Sequence, residues 1–194
     1  MYELPTSIIS NGTEYKIRHR GDYRVVLDCF GALDDMELTP QERLYAGLII
    51  FYEDFSSIED VNAVDDIADL IDKMFDFFNI GEIPDPREKD KPKLVDWQAD
   101  SNLIISAINN VAGKEVRAEE YLHWWTFIGY YMAIGDSSLS TVISIRSKIA
   151  KGKKLENYEK EFKADNPRYF AVDLRTHEQK ENDEWVMSVW NNGG

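Results

Sequence analysis

The stretch "EEYLHWWTFIGYYMAIGD", Glu119–Asp136, decides the fold, because it packs Tyr121, Trp124, Trp125, Phe127, Tyr130 and Tyr131 into one short segment. Each aromatic side chain buries about 150–250 Å², so six of them represent roughly 1,000 Å² of apolar surface. A soluble monomer seldom exposes a patch larger than about 300–600 Å². Most of the segment must therefore be covered, and helical spacing places Tyr121, Trp125, Ile128 and Met132 on one side with Trp124, Phe127 and Tyr131 on the adjoining arc. Trp125, Phe127, Ile128 and Met132 are expected as central packing residues. His123 is expected to hydrogen-bond a carbonyl or a carboxylate at the helix edge rather than to act in catalysis. The surplus of Tyr and Trp, which keep a polar handle, suits a flank that docks another protein.

Two other readings of the segment, a membrane anchor and a catalytic or cofactor box built round His123, are disfavoured. From Tyr121 to Gly135 it is free of Asp, Glu, Lys and Arg, yet it falls short of the roughly 20 residues that cross a bilayer and is rich in Tyr and Trp rather than Leu and Val. A membrane anchor is disfavoured. The N-terminus "MYELPTSIIS" lacks a basic region followed by an apolar run, so no secretory signal is visible. The histidines, His19, His123 and His177, lie far apart, and "HEQKE" at His177 lacks the second histidine of a helical zinc-protease motif. No phosphate-cradling glycine loop or nucleophile elbow is present.

Composition narrows the class further. A chain of 194 residues buries about 70% of its unfolded surface, enough for a full core. The single cysteine, Cys29, makes neither an internal disulfide nor a cysteine-based zinc site, and it reads as a structural thiol on an apolar helix face in a reducing cytoplasm. The net charge of −14, from 36 acids against 22 bases, argues against a nucleic-acid partner, because duplex binding rests on Lys and Arg contacts to phosphate. The same charge favours solubility. Asp65, Asp69, Asp72 and Asp76 align at spacings of three and four, but the solvated face of an amphipathic helix has the same pattern. The cluster Lys148, Lys151, Lys153 and Lys154 complements a helix C-terminus. No catalytic, cofactor or metal residues are assigned, and the chain is read as not an enzyme.

Along the chain, "TSIIS" and "TEYKIRH" flank Asn11-Gly12, the dipeptide of a type I′ hairpin turn. Asp22 caps a helix to about Leu33. Thr39, Pro40 and Glu42 form an N-cap, first helical position and capping box for a helix to about Asp54. "VNAVDDIADLIDKMFDFFNIG" predicts a helix with Val64, Ile67, Leu70, Ile71, Met74 and Phe78 on its apolar face, ended by Gly81. The stretch from Gly81 to Leu94 reads as a mobile surface loop. "VDWQADSNLIISAINNVAG" follows as a helix that buries Trp97, Leu103, Ile104, Ala107, Ile108 and Val111. After the aromatic segment come a cap at Ser137 or Ser138, a helix through "LSTVISIRSKIAKGKK", and another from Leu155 to Ala164. The expected fold is mainly α, an N-terminal β-hairpin packed on a bundle of about six to seven helices. Residues 1–166 are expected as one helical domain and 167–194 as a loosely attached tail holding Trp185 and Trp190.

In this order, the "LP" before the hairpin, "GDYRVVLDCFGALDDMELTPQERLYAGLIIFYED", "DWQADSNLIISAIN", "LHWWTFIGYYMAIGDSS" and "ISIRSK" resemble the bacteriophage "gene product fifteen" family of tailed phages and prophages of Gram-positive bacteria. The resemblance runs from Leu4 to Lys154, and its most specific pieces are Asp96, Asp100, His123-Trp124-Trp125-x-Phe127 and Arg146. It implies a non-catalytic tail-assembly chaperone that coats the tape-measure protein before tail-tube subunits polymerise on it. The alternative it carries is a structural component kept in the finished tail. The implied partners are the tape-measure protein and other tail-assembly proteins, with no nucleic acid and no membrane, and a homo-oligomer is allowed. The implied location is the host bacterial cytoplasm, with the protein absent from the mature virion. Tyr121, Trp124, Tyr131, Trp185 and Trp190 are the expected partner contacts.

Overall fold

The computed structural model describes residues 3–82 and 92–174. They are mainly helical with an N-terminal antiparallel hairpin. Among them, residues 3–82 and 108–133 form one compact unit, and residues 92–107 and 134–174 a second. Among the described residues no helix is long and apolar enough to cross a membrane.

The first unit opens with β1 (Ser7–Ser10) and β2 (Thr13–Lys16), paired from Ser7 opposite Lys16 to Ser10 opposite Thr13. Asn11 and Gly12 both take positive φ, 48° and 82°, the backbone that a two-residue turn matched to strand twist requires. A 3-10 turn at Arg18–Gly21 leads into α1 (Tyr23–Leu33), capped by Asp22, whose carboxylate accepts from the Arg24 amide. The capping box of Thr39 and Glu42 starts α2 (Pro40–Phe51) as its sequence predicts. This helix ends three residues before Asp54. The Arg18 guanidinium takes the carbonyls of Ile49, Ile50, Tyr52 and Phe55, and Tyr52 bridges to Ile17, so the chain is turned out of the helix by a partner far away in sequence.

The helix expected from Val61 to Gly81 is two helices, α3 (Ile58–Asn62), capped by Ser57, and α4 (Ile67–Phe78), capped by Asp66. Aspartate and serine side chains compete with the helix ladder for backbone N–H groups, so each restarts the helix at a cap. Leu70, Met74, Phe77 and Phe78 are the buried face of α4. Its C-terminus closes through two backbone bonds, from the Gly81 amide to the Asp76 carbonyl at 2.8 Å and from the Ile80 amide to the Phe77 carbonyl at 3.1 Å; the first left-handed residue after the helix is Ile80 (φ 55°), and the expected stop, Gly81 (φ 74°), follows it. The hairpin packs on α4, where the Ser10 hydroxyl donates to the Asp69 carboxylate and the Asn11 amide to Asp66.

Next, α5 (Ser101–Ala112) begins later than expected. Asp96 accepts from the amides of Gln98 and Ala99, and the Asp96 amide donates to Asp100, so this segment is a side-chain-held turn. Val111 is exposed rather than buried.

The aromatic segment is helical only as α6 (Trp124–Met132). Trp124, Phe127 and Ile128 are buried, Trp125 is half-buried, and Met132 is exposed. The expectation that Met132 is a central packing residue is thus corrected. With nine residues, α6 ends at Met132, and no further turn carries its apolar side into the core. Phe127 stacks on Tyr23 at 4.4 Å, and Trp124 meets Phe30 edge-on. Aromatic pairs of this kind add about 0.5–1.5 kcal/mol beyond their burial.

The second unit holds the first part of α5, then α7 (Ser138–Ala150), capped by Ser137, and α8 (Asn157–Asp165). A 3-10 turn at Pro167–Phe170 follows, with Tyr169 buried. This turn is the start of the segment 167–194 that the sequence leads one to expect as a loosely attached tail. Residues 175–194, with Trp185 and Trp190, lie outside the described residues, as does most of the loop expected between Gly81 and Leu94.

Candidate binding surface and its polar framework

His123 is the N-cap of α6. Its Nδ1 accepts from the Trp125 amide at 3.0 Å, and its Nε2 lies 2.9 Å from the Pro5 carbonyl oxygen. A carbonyl can only accept, so Nε2 carries the proton and Nδ1 the lone pair: both bonds exist only in the neutral Nε2–H tautomer. Burial pushes the His123 pKa below the usual 6.5, against the opposing pull of the Pro5 bond and of Asp22. At 1% exposure the ring makes the expected hydrogen bond to a carbonyl, and it is also a helix N-cap, which its sequence setting did not announce.

This cap carries a pH prediction. The unfolded chain, whose histidine titrates near 6.5, takes up a proton that the folded ring refuses, so the His123 contribution is full above that pH and is lost as pH falls toward the depressed folded value. Between about pH 7 and pH 5 the urea midpoint of the wild type should fall. In His123→Asn, which keeps a capping acceptor but does not titrate, the fall should be smaller. Equal falls in both proteins would remove the assignment.

Asp22 does more than its sequence position announces. One carboxylate oxygen caps α1, while the other accepts from the Leu122 amide at 2.9 Å. The Tyr23 amide returns a bond to the Leu122 carbonyl at 2.9 Å. Arg24 pairs with Asp22 at 3.1 Å and donates to the Glu119 carbonyl. The starts of α1 and α6 are thereby tied through a buried carboxylate. Between them Gly21 has φ of 78°, and a Cβ there would lie 2.8 Å from the Phe77 ring and 3.0 Å from His123 Nε2. Only glycine fits both the left-handed backbone and the space.

Trp124 and Trp125 share one task. Their indole N–H groups donate to the carbonyls of Phe78 (2.9 Å) and Phe77 (3.0 Å) at the end of α4, where the Phe77 carbonyl also accepts from the Ile80 amide at 3.1 Å. Trp124 is 1% exposed, so it is corrected from an expected partner contact to a core residue. The large indole fills the space between α1 and α4 and satisfies a carbonyl there. Of the other expected contacts, Tyr121 is 42% exposed, precedes α6, donates its hydroxyl to the Arg20 carbonyl and has the Arg20 guanidinium 5.8 Å above its ring. Tyr131 is half-buried in α6.

Beside Trp125 lies a shallow hollow of about 270 Å³, lined by Pro5, Ile8, Ile9, Phe77, Gly81 and Trp125, with Lys73 and Asp76 at its lip. Ile9, two-thirds exposed, stands at its edge. No local pattern in the sequence marks the hollow, because the hairpin, α4 and α6 each contribute only one to three residues. On the acidic ridge, Asp69 is paired with Lys73 at 2.6 Å, and no group of three or more His, Cys, Asp or Glu is placed to hold a metal among the described residues. Cys29 is fully buried, its thiol bonds the Gly47 carbonyl, and burial pushes its pKa up.

In the second unit, the resemblance residues Asp100 and Arg146 form a buried bidentate pair, both side chains fully inaccessible, at 2.5 and 2.9 Å. The remaining guanidinium N–H groups reach the carbonyls of Tyr169 and Leu94. Lys148 on α7 pairs with Glu159 on α8 at 2.6 Å. That contact holds the carboxyl of Glu159 below the ordinary range.

In comparison with known proteins, a family described as "Bacteriophage Gp15 protein" matches residues 1–169. No curated protein and no solved structure matches the chain.

Proposed function

From the premise that the chain belongs to the bacteriophage Gp15 family, we propose that it is a non-catalytic tail-assembly chaperone that holds the tape-measure protein soluble in the host cytoplasm during tail morphogenesis. The membership over residues 1–169 is the observation that carries this reading, since the family resemblance implies tail assembly. Two physical features support it. Exposed apolar side chains, among them Ile9, Tyr121 and Met132, offer weak contacts for an apolar client, and the net charge of −14 keeps a loaded complex apart from its neighbours. The groups with reactive chemistry, His123, Asp100, Arg146 and Cys29, are each buried and bonded to backbone or to one another, which suits a framework more than a reaction.

The test is co-expression. The tape-measure protein is expected in the soluble fraction with this chain and in the pellet without it, and equal solubility in both cases removes the reading. Mass spectrometry of purified virions separates the alternative of a retained tail component. A chaperone is absent or nearly so, while a structural part is present in stoichiometric amount.

A further inference from the structure

The hollow beside Trp125 has a chemistry that narrows what it can hold. At about 270 Å³ it falls just below the roughly 300–1,000 Å³ of pockets that enclose a small molecule. Its lining is almost wholly apolar, with Phe77 as floor and Pro5, Ile8, Ile9, Gly81 and Trp125 as walls. Such a place suits one or two apolar side chains presented by a larger partner.

The surroundings set the sign of that partner. Lys73, the cation at the lip, is engaged by Asp69 at 2.6 Å. Asp76 at the lip and Asp72 one turn before it on α4 are exposed and carry no ion pair among the described residues. Glu14, directly opposite Ile9 in the hairpin, and Glu82, next to Gly81, are exposed as well. Asp76 thus lines the hollow, and the carboxylates of Asp72, Glu14 and Glu82 belong to residues one turn from, opposite or next to its lining residues. A second copy of this chain, itself at −14, is repelled from such an edge. A segment with apolar anchors flanked by lysine or arginine is drawn to it.

We propose that the hollow formed by Pro5, Ile8, Ile9, Phe77, Gly81 and Trp125 is the docking point for a basic amphipathic helix of the client, taking its apolar anchors while Asp72, Asp76 and Glu14 receive its flanking cations. This deepens the chaperone reading and rests on it. A helix presents anchors at spacings of three and four with its charges alongside, which matches a small apolar hollow beside an acidic helix face.

The experiment uses the full chain and a fluorescently labelled amphipathic helical peptide of leucine and lysine, read by anisotropy. Its leucine–glutamate counterpart and a lysine–serine peptide without apolar anchors serve as comparisons. Saturable binding is expected for the leucine–lysine peptide alone. Ile9→Asp should weaken it about tenfold, as loss of a central apolar contact does. Asp76→Lys should weaken it several-fold, with the difference shrinking at high salt. Both substitutions are at exposed or rim positions, so circular dichroism should match the wild type.

Ile9→Asp adds a negative charge, so an association driven only by net charge becomes tighter; unchanged or tighter binding by this variant overturns the proposal. So does equal binding of the lysine–serine peptide. A wild-type dimer that Ile9→Asp dissociates, seen by analytical ultracentrifugation, also overturns it, because the hollow is then a self-interface. In co-expression, a tape-measure protein that stays soluble with both wild type and Ile9→Asp overturns the site while leaving the chaperone reading intact. One that is insoluble even with the wild type removes the chaperone reading itself.

Discussion

Arg146→Ala is expected to lower the stability of the protein by about 3–5 kcal/mol, the range for removing one partner of a buried ion pair. Arg146 and Asp100 are both fully inaccessible, so truncating the arginine strands a carboxylate in a place that water does not reach. It also strands the carbonyls of Tyr169 and Leu94, which the same guanidinium satisfies. All five N–H groups of the side chain have acceptors, so lysine, with its single ammonium, restores only part of the loss. The check is the urea midpoint of the full chain for Arg146→Ala, Arg146→Lys, Asp100→Ala and the double alanine variant. The double variant should lose clearly less than the sum of the two singles, because the second truncation removes a charge that the first left unpaired. Strict additivity would show that the two side chains do not act as a pair.

Trp124→Ala is expected to cost about 3–5 kcal/mol, the usual range for emptying a buried Trp or Phe site. Its neighbour Trp125→Ala should cost only roughly 1–2 kcal/mol, a hydrogen bond and part of a contact surface. The two indoles donate bonds of similar length to adjacent carbonyls; the Phe77 carbonyl keeps the Ile80 amide when Trp125 is truncated, and burial accounts for most of the remaining difference. Trp124 is 1% exposed and packs against Phe30 and Phe127, whereas the outer face of Trp125 forms a wall of the hollow. Trp124→Phe should recover most of the packing but leave the Phe78 carbonyl unsatisfied. Thermal unfolding followed by far-UV circular dichroism ranks the variants. Equal losses for the two alanine variants would mean that the core does not close over Trp124 as described.

The aromatic segment shows where sequence reasoning stops. Spacing alone assigns Trp124, Trp125, Phe127, Ile128 and Met132 to a crowded apolar arc, and the crowding is real, but the arc has no label for which side is covered. Trp124 is core because α1 and α4 meet over it; Met132 is exposed because α6 ends there. The hollow was illegible for the same reason. Pro5, Ile9, Phe77 and Trp125 share no local pattern and become neighbours only when the hairpin, α4 and α6 are assembled.

What the sequence by itself determined is the part set by chemistry within a few residues. The Asn11-Gly12 turn needs two positive φ angles and has the residues that tolerate them. Thr39 and Glu42 satisfy one another's backbone amides, whereas the left-handed turn after α4 begins at Ile80 and only continues through the expected Gly81. The mainly helical class with a leading hairpin, and the family resemblance, follow from such signals in order. Tertiary structure alone decided the contacts between residues far apart: Asp22 with Leu122, Arg18 with the end of α2, Asp100 with Arg146. In each of these a charged group is partly or wholly removed from water and answered by backbone atoms or a charge brought from another element. No local periodicity encodes that answer, because it exists only once the chain has closed around it.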